Sequence, residues 1–540
     1  MTSGDISARG IRYRKLRAPQ ADGAALIVPP LNQVSGLVEA NRTAALNWNQ
    51  LTSAPLAMWR SLARRELVTL AALSIGEQLT DEEAARRAER PIILSGHQPT
   101  LFHPGVWLKN FVLSQSAEHV GGTAINLVID SDAAHSPGIR VPAGSPDGPH
   151  VEFVPLDAPS DEVPWEERRV TDVAFARAFA SRVRDIYVGS GPILLDRIWP
   201  HAEAIMQGTP PETLRWGTCL AAARHRLEQE IGLKTQEALF SRICDTVTVA
   251  QFSSHLFSRA GELHAIYNAT VAEYRAVNHI RSRSHPVPDL AVQGDWLEVP
   301  FWLWTRDDPR RSAAFVRPIK DGWELSDLKG VTIRELPADN GAGNDSGIKL
   351  RPRALITTMY ARLVLGDLFI HGVGGAKYDE LTDAIIRQLF GIEPPAYITA
   401  TATFRLPIDR PQVTAADVQA NQWRLRDLRY RPESFLHDPL AIEKLPLRTQ
   451  LEKLAAEKRD YLRAHSLRGA PREVFLGLDT LNRQMQTLLK PIEVQLREEQ
   501  ARLASALKQT QLLGSREFSF VLFPKKYLIP RLLELSKVSA

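Results

Sequence analysis

The sequence predicts an α/β protein with a parallel-sheet core, and two observations support this fold class. A short apolar run, PIILSGHQP at 91–99, is followed by the helical pattern GVWLKNFVLSQSAEHV at 105–120 and by a second apolar run at 123–128. A strand, a helix and a strand in this order form a βαβ unit, whose two strands are parallel neighbours in a Rossmann-like sheet. Helix and strand alternate again between Leu350 and Pro407, where we place the second half of the core.

The order of these patterns predicts five segments in the chain of 540 residues, which is too long for one ordinary core. They are an N-terminal helical segment at 1–90, the first half of the core at 91–160, an inserted helical and β connecting region at 161–349, the second half of the core at 350–410, and a helical coiled-coil domain at 411–540. We expect the closing apolar stretch, REFSFVLFP, to pack back on the core.

The segments outside the core are assigned from their periodicity. The stretch TDEEAARRAER opens with a threonine cap and early acids, as a helix does. A mainly helical pattern runs from 161 to 281, and WLEVPFWLWT at 296–305 begins a series of short strands typical of an antiparallel insertion. Long, charged, helix-periodic stretches between 447 and 513 predict a helical pair or coiled coil, with a kink or break at Pro491.

Composition and charge argue against several classes of protein. Lys and Arg number 66 against 62 Asp and Glu, and a net charge of +4 gives no reason to expect a nucleic acid or an anionic membrane as partner. Two cysteines, Cys219 and Cys244, are too few for a disulfide framework or a four-thiolate metal site. The first residues lack the apolar stretch of a signal peptide, so we expect a soluble, cytoplasmic protein.

The loop SGHQPTLFHPG follows the first core strand and is the first candidate ligand site. Gly96 permits a tight turn, and the helix that begins near Pro104 offers free N–H groups that suit a phosphate or carboxylate. His97, Gln98 and His103 lie at the carboxyl end of the strand, where open α/β sheets bind their ligands. The alternative is structural: the two histidines cap the helix or bind loop carbonyls.

Acidic residues follow the second strand, in VIDSDAAHS. Asp130, Asp132 and His135 are candidates for binding a ribose or an amine, and Asp132 also for accepting a proton. Their spacing matches no specific metal motif, so no metal site is predicted. Helix capping by either aspartate is the alternative.

The segment FIHGVGGAKYDELTD repeats the layout of a strand, glycines and a helix. Gly372, Gly374 and Gly375 predict a backbone cradle for an anion, with Lys377 to neutralise a phosphate and Asp379 to accept a hydrogen bond. The pattern is neither a Walker A sequence nor a clean GxGxxG. A glycine-rich loop that serves only close packing is the alternative.

Two further groups of residues are candidates for contacts with a ligand. Arg351 and Arg353 precede a helix that carries Thr357, and an arginine there can clamp a carboxylate or phosphate, although a structural ion pair is nearly as good an explanation. An aromatic strand can stack on a sugar or adenine ring, although such a stripe more often forms core. Its aromatic residues are Trp296, Phe301, Trp302 and Trp304.

Three of these segments, taken in order, resemble the bacillithiol biosynthesis cysteine-adding enzyme family. SGHQPTLFHPGVWLKN is similar to that family's GQQPGLF-type loop, and VIDSDAAHS to its acidic strand end. The stretch LRPRALITTMYARLVLGDLFIHGVGGAKYDELTDAIIRQLFGIEPP is similar to its later LRP…GGP segment, and REFSFVLFP to its ending. The likeness covers about 91–156 and 350 to the end, and the altered loops place the chain on a divergent branch.

The resemblance implies a nucleotidyltransferase-like core, inserted connecting segments and a coiled-coil domain that supports a homodimer. It implies a ligase that forms an amide between cysteine and an amino sugar. Because a free carboxylate must be activated before it forms an amide, we expect ATP, another nucleotide or an activated acyl donor, and whether Mg²⁺ takes part stays open. Small molecules, an amino acid and an amino sugar, are the expected partners. Matching positions are Gly96, Gln98, Arg351, Pro352, Thr357 or Thr358, Gly374 and Gly375, with Asp130, Asp132 and His135 matching more loosely and His97 in place of a glutamine.

The expected function is therefore that of a ligase acting on a small amine. His97 or His103 is the expected general base, because imidazole titrates near neutrality. Two alternatives remain: a nucleotidyltransferase that uses the same loops, and a non-catalytic dimeric protein that keeps the ligand pocket.

Overall fold

The chain divides into two units, which a computed structural model describes over residues 11, 16–135, 137–145, 148–158, 162–320, 322–333, 347–438, 448–465, 468 and 471–538. The first unit comprises Met1–Val141, Glu152–Pro407 and Arg516–Ala540. The second comprises Pro142–Val151 and Ile408–Ser515.

The strands form a main sheet, a second sheet and a two-stranded pair. In chain order they are β1 (Ala25–Val28), β2 (Ile92–His97), β3 (Thr123–Val128), β4 (Gly138–Ser145), β5 (Gly148–Pro155), β6 (Thr235–Leu239), β7 (Val292–Gln293), β8 (Trp296–Thr305), β9 (Ser312–Ile319), β10 (Gly322–Ser326), β11 (Thr332–Ile333), β12 (Ile348–Pro352), β13 (Leu368–His371) and β14 (Tyr397–Ala402).

Helices cover the sheets and make up most of the second unit. In chain order they are α1 (Val34–Leu51), α2 (Leu56–Ala72), α3 (Asp81–Glu89), α4 (Pro104–His119), α5 (Val173–Arg177), α6 (Phe179–Ile186), α7 (Leu195–Gly208), α8 (Trp216–Glu230), α9 (Phe240–Cys244), α10 (Val247–Ser258), α11 (Ala260–Val277), α12 (Ala354–Tyr360), α13 (Val373–Phe390), α14 (Ala415–Tyr430), α15 (Arg448–Ala464), α16 (Arg472–Leu488), α17 (Lys490–Leu513) and α18 (Lys525–Leu535).

The main sheet has the strand order β1-β14-β13-β2-β3-β6. All its strands are parallel except β1, which pairs antiparallel with β14 at one edge. The predicted βαβ unit is confirmed, because β2 and β3 are parallel neighbours with Ile92 opposite Thr123. The protein is thus a mixed α/β protein with a parallel-sheet core and many helices.

Two strands of the main sheet come from regions whose pattern predicted mainly helices. These are β1, near the start of the chain, and β6, which lies between two helices. β6 has only five residues, TQEAL, and three of them are buried, including a threonine and a glutamate. A short strand buried on both faces shows no alternation of polar and apolar residues, and the longer helical patterns on either side hide it.

The strand order reverses between β2 and β13. From β2 the chain adds β3 and β6 on one side, and it later adds β13 and β14 on the other. In open α/β sheets a crevice opens at such a reversal, beyond the carboxyl ends of the strands, and ligands bind there. The helices that follow the two central strands, α4 and α13, begin at this crevice.

Helix α4 is buried on nearly all sides. The segment after Arg516 covers it: the Phe520 N–H donates to Phe102 O over 2.8 Å, and the rings of Phe520 and Trp107 lie 4.2 Å apart between centroids. Lys109, in the same helix, is also buried.

The remaining elements form an antiparallel sheet and a helical unit. β11, β10, β9, β8 and β12 pair in that order, and β7 joins β8, as the aromatic strand pattern predicts. The second unit packs α14 to α17 around Leu451, Met485 and neighbouring apolar side chains. The break predicted at Pro491 is confirmed, since α16 ends at Leu488 and α17 begins at Lys490. Within the described residues no helix is long and apolar enough to cross a bilayer.

Candidate functional site

A cavity of about 710 Å³ lies at the carboxyl ends of β2 and β13, where the strand order reverses. All its walls belong to the first unit. The predicted site residues that line it are Gly96, His97, His103, Asp132, Arg353, Thr357, Gly372, Gly374 and Gly375. It thus brings together both glycine-containing loops that the sequence singled out.

The N-terminus of α4 forms one wall of the cavity. His103 is the N-cap residue, and its Nδ1 accepts a hydrogen bond from the Gly105 N–H over 3.1 Å. Burial lowers the pKa of His103, although Glu517, 3.7 Å from its Nε2, opposes the shift. His103 therefore fills the structural role of a helix cap. Gly105 has no space for a side chain, because a Cβ there would lie 2.2 Å from Ala402 O.

The N-terminus of α13 forms the facing wall. The glycines predicted as a loop are the start of this helix: Gly372 is its N-cap residue, and Gly374 and Gly375 lie in the first turn. The Ala376 N–H donates to Gly372 O over 2.9 Å, so the three preceding N–H groups of the helix have no intrahelical acceptor. Such a helix start attracts a phosphate or carboxylate through its N–H groups and its partial positive charge.

Lys109 lies between these two walls, and sequence reasoning did not select it. Its Nζ donates to Gly96 O over 2.6 Å, and the residue is only 3% exposed. Its Cδ lies 4.0 Å from the point that a Cβ on Gly372 would occupy, so the side chain passes close to the start of α13. Burial and, to a smaller extent, the nearby charge of Arg224 lower the pKa of the Lys109 ammonium to about 7.

At the end of β2, His97 lines the cavity, and Gln98 follows it outside the lining. His97 Nδ1 lies 3.1 Å from Gln98 O, and its ring packs edge-on against Phe102. Burial lowers the pKa of His97 to about 3, with a contribution from the charge of Lys109, so the imidazole is neutral at physiological pH. A base this weak is a poor proton acceptor, which favours a hydrogen-bonding role over the expected general-base role.

A third histidine of the cavity wall, His371, lies at the end of β13, and sequence reasoning missed it as it missed Lys109. Its Nε2 is 2.6 Å from Asp379 Oδ2, and that carboxylate also pairs with Arg362 at 2.8 Å. Burial alone would raise the pKa of Asp379, but the neighbouring His371 and Arg362 outweigh it and hold the pKa below its ordinary value. A charged Asp379 therefore orients the imidazole of His371 towards the cavity that this histidine lines.

The antiparallel sheet supplies the outer wall, around Trp302. The guanidinium groups of Arg353 and Arg311 lie 4.0 and 4.7 Å from the centre of its ring. Arg353 also pairs with Glu298 at 2.7 Å, and Arg311 with Asp132 at 2.7 Å. The side-chain amide of Gln98 donates to the same Asp132 carboxylate. Asp132 thus links the end of the main sheet to the antiparallel sheet.

Thr357 also lies in the wall of the cavity, and its hydroxyl donates to Pro352 O over 3.3 Å.

Six predicted binding residues do not line the cavity: Gln98, whose side-chain amide donates to Asp132, and five residues that other contacts engage or that face solvent, namely Asp130, His135, Arg351, Lys377 and Asp379. Asp130 accepts hydrogen bonds from the N–H and Oγ of Ser241, and burial raises its pKa to about 7. Arg351 is buried in a two-point ion pair with Glu166, with both N–O distances 2.9 Å. His135 is exposed and pairs with Glu162 at 3.0 Å, and Lys377 is exposed on α13. Asp379, as described, is behind His371.

The residues that sequence reasoning missed reach the cavity from distant parts of the chain. Arg516 belongs to the closing segment and donates to Thr401 Oγ1 over 3.2 Å and to Ala402 O over 3.1 Å. Arg311 comes from a loop of the antiparallel sheet. A lysine in the middle of an apolar helix pattern, as in GVWLKNF, was the one signal of Lys109 in the sequence.

A possible metal cluster lies outside the cavity. Among the described residues, His225, Glu228 and Glu237 bring one ligand atom each within 4.8 Å of one another. Arg224 pairs with both carboxylates, at 3.4 Å from Glu228 and in direct contact with Glu237. A guanidinium group therefore already balances part of the negative charge of the cluster, as in a structural ion-pair network.

No model of a known protein family matches this chain, and no curated protein matches it.

Proposed function

We propose that this chain is an enzyme whose Rossmann-like core binds an anionic small molecule between the ends of β2 and β13 and forms a carbon–nitrogen bond. The parallel strands β6-β3-β2-β13-β14 have the 3-2-1-4-5 order typical of that fold, which supports the proposal. One observation carries it: the N-termini of α4 and α13 and the ammonium of Lys109 converge on a single cavity. The reaction class comes from the resemblance to the cysteine-adding ligases.

A nucleotide fits the cavity by size and by charge. The volume of about 710 Å³ suits a drug-sized or nucleotide-sized ligand. Lys109, Arg516 and the start of α13 would hold its phosphates, because N–H groups and cations are what an oxyanion needs. When bound, a nucleoside triphosphate supplies the activation that a free carboxylate requires before it can form an amide.

His371 is the best-placed proton acceptor for the attacking amine. An amine must lose a proton as its nitrogen bonds to the activated carbon, and an imidazole held by a carboxylate is suited to take it. Asp379 holds Nε2, which leaves Nδ1 for the substrate. Asp132, expected as a catalytic group, is engaged by Arg311 and Gln98, and we assign it to shaping the wall.

Thermal-shift and product assays with ATP, ADP, cysteine and an amino-sugar conjugate test this function. A ligase gives shifts with a nucleotide and with the amine, and forms an amide only when all substrates are present. Release of pyrophosphate without cysteine identifies a nucleotidyltransferase instead. Ligand binding without any turnover identifies a binding protein. If no compound shifts the melting temperature and no product forms, the proposed site is wrong.

The matched variants His371→Asn and His119→Asn separate catalysis from folding. We expect His371→Asn to keep ligand binding and to lower turnover by about 10²–10⁴-fold, the usual contribution of a general base. His119 is exposed at the end of α4, far from this chemistry, and serves as the control. Equal turnover in both variants would remove His371 from the mechanism.

A further inference from the structure

We propose that Lys109 is the side chain that binds the anionic group of the ligand, and that it takes up a proton as the ligand binds. The proposal rests on the proposed function and deepens it, since it names the chemistry of the bound group, an oxyanion, and a pH-dependent control of its affinity. The oxyanion is a phosphate or a carboxylate.

The geometry gives Lys109 hydrogen-bonding capacity that the protein itself does not use. An ammonium group has three donors, and the described residues provide one acceptor for it, Gly96 O at 2.6 Å. No carboxylate among the described residues forms an ion pair with Lys109. Because the side chain is 3% exposed and lines the cavity, its open N–H groups can bind only what the cavity holds, and an anionic ligand, unlike water, also balances the ammonium charge.

The charges around Lys109 disfavour its protonated form until an anion arrives. The charged and titratable side chains that interact with Lys109 or share its cavity are His97 of β2, His103 at the start of α4, Asp132 after β3, Arg224 of α8, Tyr267 of α11, Arg311 before β9, Arg353 after β12, His371 of β13, and Arg516 and Glu517 of the closing segment. The carboxylates of α8 and β6 pair with Arg224, and Glu517 lies 3.4 Å from Arg516. The carboxylates that share the cavity are likewise paired, Asp132 with Arg311 and Glu517 with Arg516, and among the described residues none forms an ion pair with Lys109.

Binding of an anion reverses this balance. Burial and Arg224 lower the pKa of Lys109 to about 7, so near pH 8 most of the free protein carries a neutral amine at this position. A negative group within hydrogen-bonding distance favours the charged form and raises the pKa. The ligand and the proton therefore bind together, and affinity falls as the pH rises above about 7.

Calorimetric titration of the full chain with adenosine monophosphate and with succinate tests the proposal. Both probes keep a constant charge between about pH 7 and 9, and they separate a phosphate site from a carboxylate site. We expect the preferred probe to bind with uptake of nearly one proton at pH 8, measured in two buffers of different ionisation heat. We also expect affinity to fall towards about tenfold per pH unit above pH 7.

Three variants identify the group responsible. Lys109→Met should weaken binding at pH 7 by about 10- to 100-fold, as expected for loss of a charge-assisted hydrogen bond, and should abolish proton uptake. Lys109→Arg should bind without proton uptake, because a guanidinium stays charged. Lys234→Met, which removes an exposed lysine of the first unit, should behave as the wild type.

The outcomes distinguish an error in the role of Lys109 from an error in the proposed anion site. If Lys109→Met binds the probe as tightly as the wild type with the same proton uptake, the role of Lys109 is wrong and the ligand site stands. If the wild type binds neither probe, the proposed anion site itself is wrong. A melting temperature for each variant shows that the protein is folded in every comparison.

Discussion

The two ends of the same strand pair, β2 and β13, treat a buried charge in opposite ways. At the amino ends, the Asp367 carboxylate pairs with Arg42 at 3.2 Å, with Arg64 at 3.0 Å and with Arg60 in direct contact. It also accepts the Ile92 N–H over 2.8 Å. At the carboxyl ends, the Lys109 ammonium has one backbone carbonyl and no carboxylate partner among the described residues.

This difference distinguishes a buried charge that stabilises the fold from a buried charge that is available to bind a ligand. A buried ion without partners is costly, and native proteins keep one mainly where function requires it. Asp367 links α1, α2 and the first residue of β2 to the sheet, so its partners are all internal. Lys109 has the same degree of burial and lies in a cavity wall, which is why we assign its missing partner to a ligand.

The largest expected change in stability is at the amino ends of β2 and β13, where Asp367 is fully paired. Asp367→Asn leaves three arginines around an amide, and breaking a buried ion pair by removing one partner destabilises by about 3–5 kcal/mol. Urea unfolding at pH 7 measures the change, with the exposed Asp185→Asn as control. A loss below about 1 kcal/mol would show that the arginines hold this corner without the carboxylate.

The same variant should also change the acid dependence of stability. Burial by itself would raise the pKa of Asp367, but Arg64 and Arg60 outweigh it, and the pKa lies below its ordinary value. A depressed carboxyl pKa adds stability above the unfolded value, and that stability is lost as the pH falls through the folded value. Asp367→Asn should therefore flatten the decline of stability in acid.

At the carboxyl ends of β2 and β13, where Lys109 has no ion-pair partner among the described residues, we expect a substitution to raise the stability of the protein and not to lower it. Lys109→Met removes a buried cation and should stabilise the ligand-free protein by about 1–3 kcal/mol at pH 7. The folded pKa of Lys109 is about 7 and lies below that of an unfolded lysine, so the wild type gains stability as the pH rises above 7. The advantage of the variant should shrink by up to about 1.4 kcal/mol per pH unit, which urea unfolding from pH 7 to 9 measures. A variant less stable than the wild type at pH 7 would contradict this account.

Local sequence signals predicted the parallel core but not all of its strands. The apolar runs that became β2, β3, β13 and β14 were recognised because each lies next to a glycine turn or next to the helix of a βαβ pattern. β1 and β6 are four and five residues long, and each lies beside long helical patterns. Their place in the sheet depends on pairing with distant strands, which a local pattern does not encode.

The site residues that follow a strand and a glycine were predicted from the sequence. The residues whose role depends on contacts with distant parts of the chain were missed. Gly96, Gly372 and Gly375 mark strand ends, and all three line the cavity. Asp130 follows the same rule, but Ser241, which follows a neighbouring strand that the sequence did not reveal, engages both of its oxygens. Arg516 reaches the cavity from the end of the chain. Which polar groups are left open for a ligand is decided by partners more than 100 residues away.

The smallest expected changes in stability come from two alanine substitutions at the start of α13. They test whether the glycines beside the cavity are needed for catalysis or only for packing. A Cβ on Gly375 would lie 3.0 Å from His371 Nδ1, whereas a Cβ on Gly374 would meet nothing within 4 Å. Gly374→Ala should stabilise by about 0.5 kcal/mol, because alanine loses less backbone entropy in a helix. Gly375→Ala should leave stability within about 0.5 kcal/mol of the wild type.

The two variants should differ more in turnover than in stability. The added methyl of Gly375→Ala displaces the imidazole that we assign as proton acceptor, and a displacement of a fraction of an ångström should lower kcat by about tenfold with little change in KM. Gly374→Ala should change kcat much less, because its methyl group touches nothing. Since both substitutions add the same methyl group to the same helix turn, a shared loss of turnover would show that the helix start matters and the position of His371 does not. A loss confined to Gly375→Ala places the chemistry at His371.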